Sequence, residues 1–372
     1  MSEVGIHQFD DWLTEGGPVA IVSRQYLVPA TQPDDAIFPP SYASPTEKKG
    51  DPPVYNIDGQ GPDSVCVLDS IPSQANRLEP MFAREPYSSL VPQIRIRFKD
   101  GLERNLLEVG HRIADAAFRG TELDDEIRHA FRKCQNGDAS AMARLAPTSL
   151  VFGVWDSRDS GVKAPRLINS TIRARDVVQL KRSAQYFPAI NYDREGLLPD
   201  DLTGKPADYG LAEAPAVHQI GGVRIKGLIT RDASLNLVSL RYLRCGADEG
   251  ETLKLRRYIL GLSLVALVAD PDLNLRQGCL LVLDPTHRPT SELVFRDGRR
   301  ADLALNPETA LAFATAASKD FGVSDGPARV VGFDAKRIGA KLAKSKKRKG
   351  AGARNADGDN GGDQTSEAGE IV

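Results

Sequence analysis

Cysteine is scarce. The 372 residues hold only Cys66, Cys134, Cys245 and Cys279, none in a C-x-x-C or comparable spacing, which excludes a zinc ribbon and a disulfide scaffold. Charge of one sign is also lacking: 48 Lys and Arg against 50 Asp and Glu leave a formal net charge of −2. A uniformly basic, histone-like binder of nucleic acid is thereby excluded, and any polyanion site must be local. Long apolar runs are absent too, since the longest, about 259–269, falls short of the ~20 residues that cross a bilayer. Residues 1–11 carry acids and no apolar stretch of the kind a secretory leader needs, so the expectation is a soluble, cytoplasmic chain without a membrane partner.

Signatures of catalysis and nucleotide binding are missing as well. There is no G-x-S-x-G, no G-x-x-x-x-G-K-[ST], no H-E-x-x-H and no EF-hand loop, and each of these motifs is what its chemistry requires locally. The five histidines, His7, His111, His129, His218 and His287, are scattered, as surface or structural imidazoles are. The sequence therefore points to no catalytic residue, no metal and no cofactor.

What is present is a large apolar fraction, 41%, enough to fill a substantial core. The run 18–30 reads as a strand, and 31–61, dense in Pro, Gly and Asp, as a long loop, because paired prolines sustain neither helix nor central strand. A short buried strand is expected at 63–69, followed by a helix to about 84 that starts on Ser70 as cap and Pro72 in the first turn. Ile71, Ala75, Leu78 and Phe82 make its apolar stripe, leaving Ser73, Asn76, Arg77 and Arg84 on the other side. Alternation at 94–98 predicts a half-buried strand with Arg95 and Arg97 outward, and 109–118 and 123–134 read as helices.

Further on, 148–155 turns apolar and looks like a strand end with a glycine inside, and 167–178 is strand-like. The stretch 183–222, rich in Pro, Gly, Asp and Tyr, reads as an irregular insertion. Helix is expected at 252–269, apolar almost all round, and at 307–321 behind Asn306; 279–284 reads as a central strand. Residues 1–334 are thus expected to form one domain with insertions at about 31–61 and 183–222. From 335 to 349 the chain holds eight basic residues and no acid, and 350–372 is a Gly, Asp, Asn and Ser tail with too little apolar surface to order itself. The order of elements fits an α+β fold of the split-βαβ, ferredoxin-like or RNA-recognition type with large additions.

Three stretches could bind a polyanion. At 68–79 a strand runs into a helix start bearing Ser, Gln, Asn and Arg, where backbone N–H groups and the helix dipole favour a phosphate; an ordinary solvated helix face is the competing reading. At 148–176, Gly153 and Trp155 are combined with Arg158, Lys163, Arg166, Arg173 and Arg175, and aromatic and basic residues on a Gly-bearing loop suit single-stranded nucleic acid. Trp155 fits a core anchor equally well. At 220–231, Gly221 and Gly222 precede Arg224 and Lys226, which suits a hairpin gripping a backbone or, slightly better, a charge-protected edge strand.

On LDSIPSQANRLEP at 68–80, FGVWDS at 152–157, STIRARDV at 170–177, LNLVSLRYL at 235–243 and LRRYILGLSLVALV at 255–268, the chain resembles one family. This is the RAMP-type backbone subunit of type I-U, or I-G, CRISPR surveillance complexes, of the Cas-seven family. The resemblance implies a modified RNA-recognition (ferredoxin-like) RAMP fold with thumb- and finger-like insertions. Copies of the chain would polymerise head to tail along a CRISPR RNA, with the other Cascade subunits, and present it for pairing with target DNA in antiviral defence. It also implies guide contacts by Ser73, Gln74, Asn76 and Arg77 at the strand-to-helix turn. A second guide-contacting region would be Gly153, Arg158, Lys163 and Arg166; Trp155 and Arg173 join it on their chemistry. Base pairing would supply specificity and the protein would read backbone and shape. The alternatives are a RAMP-superfamily endoribonuclease that processes guide precursor with His111 or His129 as general base, and a structural protein that binds no nucleic acid.

Deleting 350–372 is expected to leave the protein soluble and folded, with an unchanged circular dichroism spectrum and melting transition. An insoluble truncation would show that the tail belongs to the fold.

Overall fold

The computed structural model describes residues 5–32, 35–45, 52–269, 271–323 and 326–338, with 217–219 as backbone only. The basic and Gly-rich tail expected beyond residue 334 therefore lies almost wholly outside the described residues.

Strands β1 (Ala20–Pro29), β2 (Ile57–Asp58) and β3 (Val65–Asp69) precede helix α1 (Ile71–Leu78) and, later, α2 (Asp124–Gln135). Next come β4 (Ile168–Arg175), a ribbon of β5 (Val177–Tyr186) and β6 (Ala214–Ile225), β7 (Ile229–Asn236) and helix α3 (Glu249–Val268). Short strands β8 (Asn274–Arg276), β9 (Cys279–Leu283), β10 (Thr290–Val294) and β11 (Arg300–Asp302) lead to helix α4 (Pro307–Phe321). Among the described residues the main sheet has nine strands, in the order β8-β9-β1-β7-β4-β3-β2, with β10 beside β1 and β11 beside β10. Every pairing in it is antiparallel. The class is α+β, a RAMP-like architecture with insertions, as the sequence indicates.

The local signals explain the helices. Ser70 accepts from the Ser73 backbone N–H at 3.4 Å and Pro72 sits in the first turn of α1. Asp248 caps α3 through the Glu251 N–H at 2.9 Å, and Asn306 caps α4 through the Thr309 N–H at 2.8 Å, each pairing an otherwise orphan donor. Helices α3 and α4 touch at Gly261, where a Cβ would stand 2.7 Å from the Ala314 Cα; only glycine permits that approach.

The back of the sheet is the core, and it is in two parts. Ile21 on β1, Ile168 on β4 and Ala233 and Leu235 on β7 join the larger cluster with Phe82, Phe131, Phe152, Tyr258 and Phe313. Leu27, Ile172, Ala174 and Ile229, farther along the same strands, join a smaller one with Cys66, Leu68, Cys279 and Leu281. Between them runs a buried polar row. Arg231 of β7 donates through Nη1 to Gln25 Oε1 at 3.0 Å and the Ala269 carbonyl at 3.2 Å, and through Nε to Gln74 Oε1 at 3.2 Å. Ser170 Oγ donates to the same Gln74 oxygen at 2.9 Å. Gln74 Nε2 in turn donates to Asp69 at 2.6 Å. Asp69, fully buried, also accepts from Ser73 Oγ at 2.7 Å and Arg77 Nε at 3.1 Å, and lies 3.5 Å from Arg276 Nη2.

Four expectations need correction. The stretch 109–118 is not one helix: Arg112, at φ +52°, starts a turn over Arg112–Ala114, and Asp115 caps only the short Ala116–Arg119 helix. The apolar residues 148–152 are a helix, Thr148–Phe152, all five buried, not a strand end; so short a run has no readable period. The stretch 183–222 is irregular over 187–213, as expected, apart from a short turn at Pro206–Tyr209, while its two ends lie in the β5/β6 ribbon, paired from Val177↔Ile225 to Tyr186↔Ala214. Most of β5 is exposed, so it has no buried face to impose alternation. Finally, β9 lies next to the sheet edge, with Leu280 and Val282 exposed, rather than centrally. The run 220–231 also divides, its first half in the ribbon and Ile229–Asn236 in mid-sheet.

Replacing Asp69 with Ala strands two guanidinium groups beside a buried gap, and is expected to destabilise the fold by about 3–5 kcal/mol. Urea denaturation followed by circular dichroism measures this.

Candidate nucleic-acid interface

The ten candidate residues from the sequence do not gather in one place. Ser73, Gln74 and Arg77 turn inward to Asp69, and Arg77 also donates through Nη2 to the Leu275 carbonyl at 2.6 Å. Gln74 is 1% exposed, so its amide is a core group. Asn76 alone of the four is exposed, and its Oδ1 accepts from Arg112 Nη2 at 3.3 Å.

Arg112 joins the first motif to the second. Its guanidinium pairs with Glu79 at 2.7 Å, both side chains buried, and Nη1 donates to the Gly153 carbonyl at 3.2 Å. Burial pushes the Glu79 carboxyl up to about 7, against the pull of Arg112 and Thr148. Gly153 has φ +78° and ψ 149°, a region open essentially to glycine alone. A Cβ there would meet Arg166 Cγ at 2.6 Å and the Arg166 nitrogen at 3.0 Å. Arg166 itself donates through Nε to the Phe152 carbonyl at 3.0 Å.

Beyond Gly153 the chain forms a small hairpin in which Trp155 pairs in register with Lys163. Trp155 is 56% exposed, and the Lys163 ammonium lies 4.2 Å from its ring centroid. The core-anchor alternative for Trp155 therefore falls. Asp156 closes the hairpin loop by accepting from Ser160 N and Oγ at 3.0 and 2.7 Å, and pairs with Arg119 at 2.8 Å. Burial draws its carboxyl upward, but the Ser160 donors and Arg119 outweigh this and hold it below the usual range. Arg158 stands exposed in the same loop.

Arg173 belongs to a third place, the front face of the sheet. There β1, β4, β7, β10 and β11 enclose an open cavity of 570 Å³ whose lining includes Arg24, Tyr26, Thr171, Arg173, Arg175 and Arg300. The two-residue strand period places these side chains: on β4, Thr171, Arg173 and Arg175 line the cavity, whereas Ile172 and Ala174 enter the core. Arg24 is tied to Asp232 at 2.6 Å and Arg300 to Glu292 at 2.7 Å. Among the described residues Arg173 and Arg175 have no ion-pair partner, so the face keeps two uncompensated cations.

Arg24, Tyr26 and Arg300 were not legible as site residues. Arg24 and Tyr26 lie inside an ordinary strand pattern, and Arg300 is brought beside them by the pairing of β1 with β10 and β10 with β11. Neither His111 nor His129 borders the cavity. Among the described residues no group of His, Cys, Asp and Glu has the arrangement of a metal site, and no helix is long and apolar enough to cross a membrane.

Gly153→Ala is expected to lower stability by about 1–3 kcal/mol, the scale of a residue forced into a disfavoured backbone region. Denaturant midpoints measure the loss, and the fluorescence of exposed Trp155 reports whether the hairpin moves with it.

No curated protein matches the chain. Residues 21–179 match the family model described as CRISPR-associated protein GSU0053. The matched segment starts on β1, contains both Asp69 and Arg112 with their partners Gln74, Glu79 and Gly153, and ends just past Arg173 and Arg175. Over residues 21–179 the chain is thus similar to CRISPR-associated proteins of the GSU0053 family.

Proposed function

We propose that this protein is a noncatalytic subunit that binds CRISPR RNA as a guide. Copies of it assemble head to tail along the RNA, with other Cascade subunits, and present the guide for pairing with target DNA. The observation that carries this reading is the open front face of the sheet, where Arg173 and Arg175 project without ion-pair partners among the described residues. At ~3.3 Å per residue they stand about 7 Å apart on one side of a strand, so each can meet a different phosphate. An extended cationic face with hydroxyl and amide side chains between the arginines suits a flexible polyanion held by its backbone. The exposed hairpin bearing Trp155 and Lys163 and the family match of residues 21–179 support the same reading.

The net charge is compatible with it. Cations are collected on the front face, while Asp124, Asp156 and Asp159 pair with Arg119 and Arg128 elsewhere. The β5/β6 ribbon, exposed along most of β5, suits a thumb-like segment whose partner is the guide or a neighbouring copy. Ser73, Gln74 and Arg77 serve in this reading as the support of the strand-to-helix turn, with Asn76 at its surface.

Coexpression with a matching CRISPR array and the neighbouring subunits is expected to yield protein with RNA of uniform length on a denaturing gel. Replacing both Arg173 and Arg175 with Ala is expected to weaken RNA binding and to reduce the slope of log affinity against log salt by about 1.4, because two phosphates of a single strand then keep their counterions. RNA-free wild-type protein, or an unchanged affinity and slope in the variant, would overturn the proposal.

A further inference from the structure

The arginine-lined cavity has a neighbour of opposite character. Tyr26, which lines the cavity, also packs against His287, with ring centroids 4.8 Å apart and planes at 31°. His287 lies in the exposed loop between β9 and β10 and is itself exposed. Its Nδ1 is held by Asp284 Oδ2 at 2.7 Å and lies 3.0 Å from Thr286 Oγ1. That grip fixes the ring's orientation; among the described residues Nε2 has no hydrogen-bond partner.

Past Tyr26 the same face of the sheet turns apolar. Val28 follows Tyr26 at the strand period and pairs in register with Val282. Val282 is 45% exposed and Leu280, two residues earlier on that face, is 49% exposed. The front face thus carries two adjoining strips, a cationic one with Arg24, Arg173 and Arg175 and an apolar one with Val28, Leu280 and Val282. The Tyr26–His287 stack stands where they meet.

We infer that Tyr26 and His287 form a stacking step for an unpaired nucleobase of single-stranded nucleic acid whose phosphates lie on the neighbouring arginines. The inference rests on the nucleic-acid reading above and adds a base contact to it. A single strand offers an anionic backbone along one edge and apolar ring faces along the other, and the two strips match these in the same order. Aromatic side chains take any base by its π-face, so the step is tolerant of sequence. Asp284 acts as a positioning residue, because holding Nδ1 keeps the imidazole ring parallel enough to Tyr26 to extend its stack.

The test measures binding of the purified full chain to a fluorescein-labelled oligouridylate and to an abasic oligoribose phosphate of equal length and charge. Wild type is expected to prefer the base-bearing strand. His287→Ala and Tyr26→Leu are each expected to weaken it about tenfold, the scale of one lost base stack, and His287→Ala to leave the abasic affinity and the salt slope unchanged. Tyr26→Phe, which keeps the ring, is expected to retain the preference for the base-bearing strand. Equal wild-type affinity for the two strands, or equal weakening of both by His287→Ala, would overturn the stacking step and leave the backbone-binding reading standing. No binding of either strand would overturn both. A change confined to self-association in light scattering would make this strip a contact between copies and overturn the inference.

Discussion

Asp69 is the group on which the arrangement of this molecule depends. It ends β3, is fully buried, and is encircled by Ser73, Gln74, Arg77 and Arg276. A buried carboxylate is tolerated only when its lone pairs are met by donors and its charge by cations. Those donors come from α1 and from β8, so satisfying one carboxylate fixes the helix against the sheet and ties the sheet edge to both. Gln74 passes the network to Ser170 and Arg231, and Arg231 to Gln25. The resulting polar row divides the apolar back of the sheet into two clusters. Apolar packing alone specifies a strand's register weakly against a two-residue slide; a hydrogen-bonded row crossing several strands specifies it strongly.

With the register fixed, the front face follows. Every residue of β4 placed in the core sends its neighbour to the opposite side, so the burial of Ile172 and Ala174 obliges Arg173 and Arg175 to stand outward. The same rule on β1 turns Leu27 inward and Tyr26 outward. The cationic face is therefore a consequence of core packing on its reverse side. Unpaired charge and apolar packing are divided between the two faces of one sheet, which allows the front to carry cations without loss to the core.

The two motifs most prominent in the sequence have a physical link. Arg112 connects Asn76 and Glu79 of the first to Gly153 of the second. It lies in neither motif, in a stretch that reads as an ordinary helix. Much of the polar character of 68–79 supports the fold: Ser, Gln and Arg at a helix start face Asp69, the very residue that precedes the cap. By contrast the Trp155 hairpin presents its aromatic and its lysine to solvent, held by Gly153 at one end and Asp156 at the other. A polar residue's type thus says that it needs a partner; only packing says whether that partner is inside the chain.

Elements whose signals are local are legible in consecutive residues. The caps at Ser70 and Asn306, the apolar stripe of α1, the nearly all-apolar α3 and the α+β class could be read because a helix start, a 3.6-residue period or a buried run is written in consecutive residues. The tertiary structure set what depends on pairing across distance. It placed β9 near an edge, paired the two ends of the 183–222 stretch into a ribbon, and set Arg24, Tyr26, Arg173, Arg175 and Arg300 around one cavity although 276 positions separate the first from the last. Strand order and register place those residues, and neither leaves a periodic trace in the segments that it brings together.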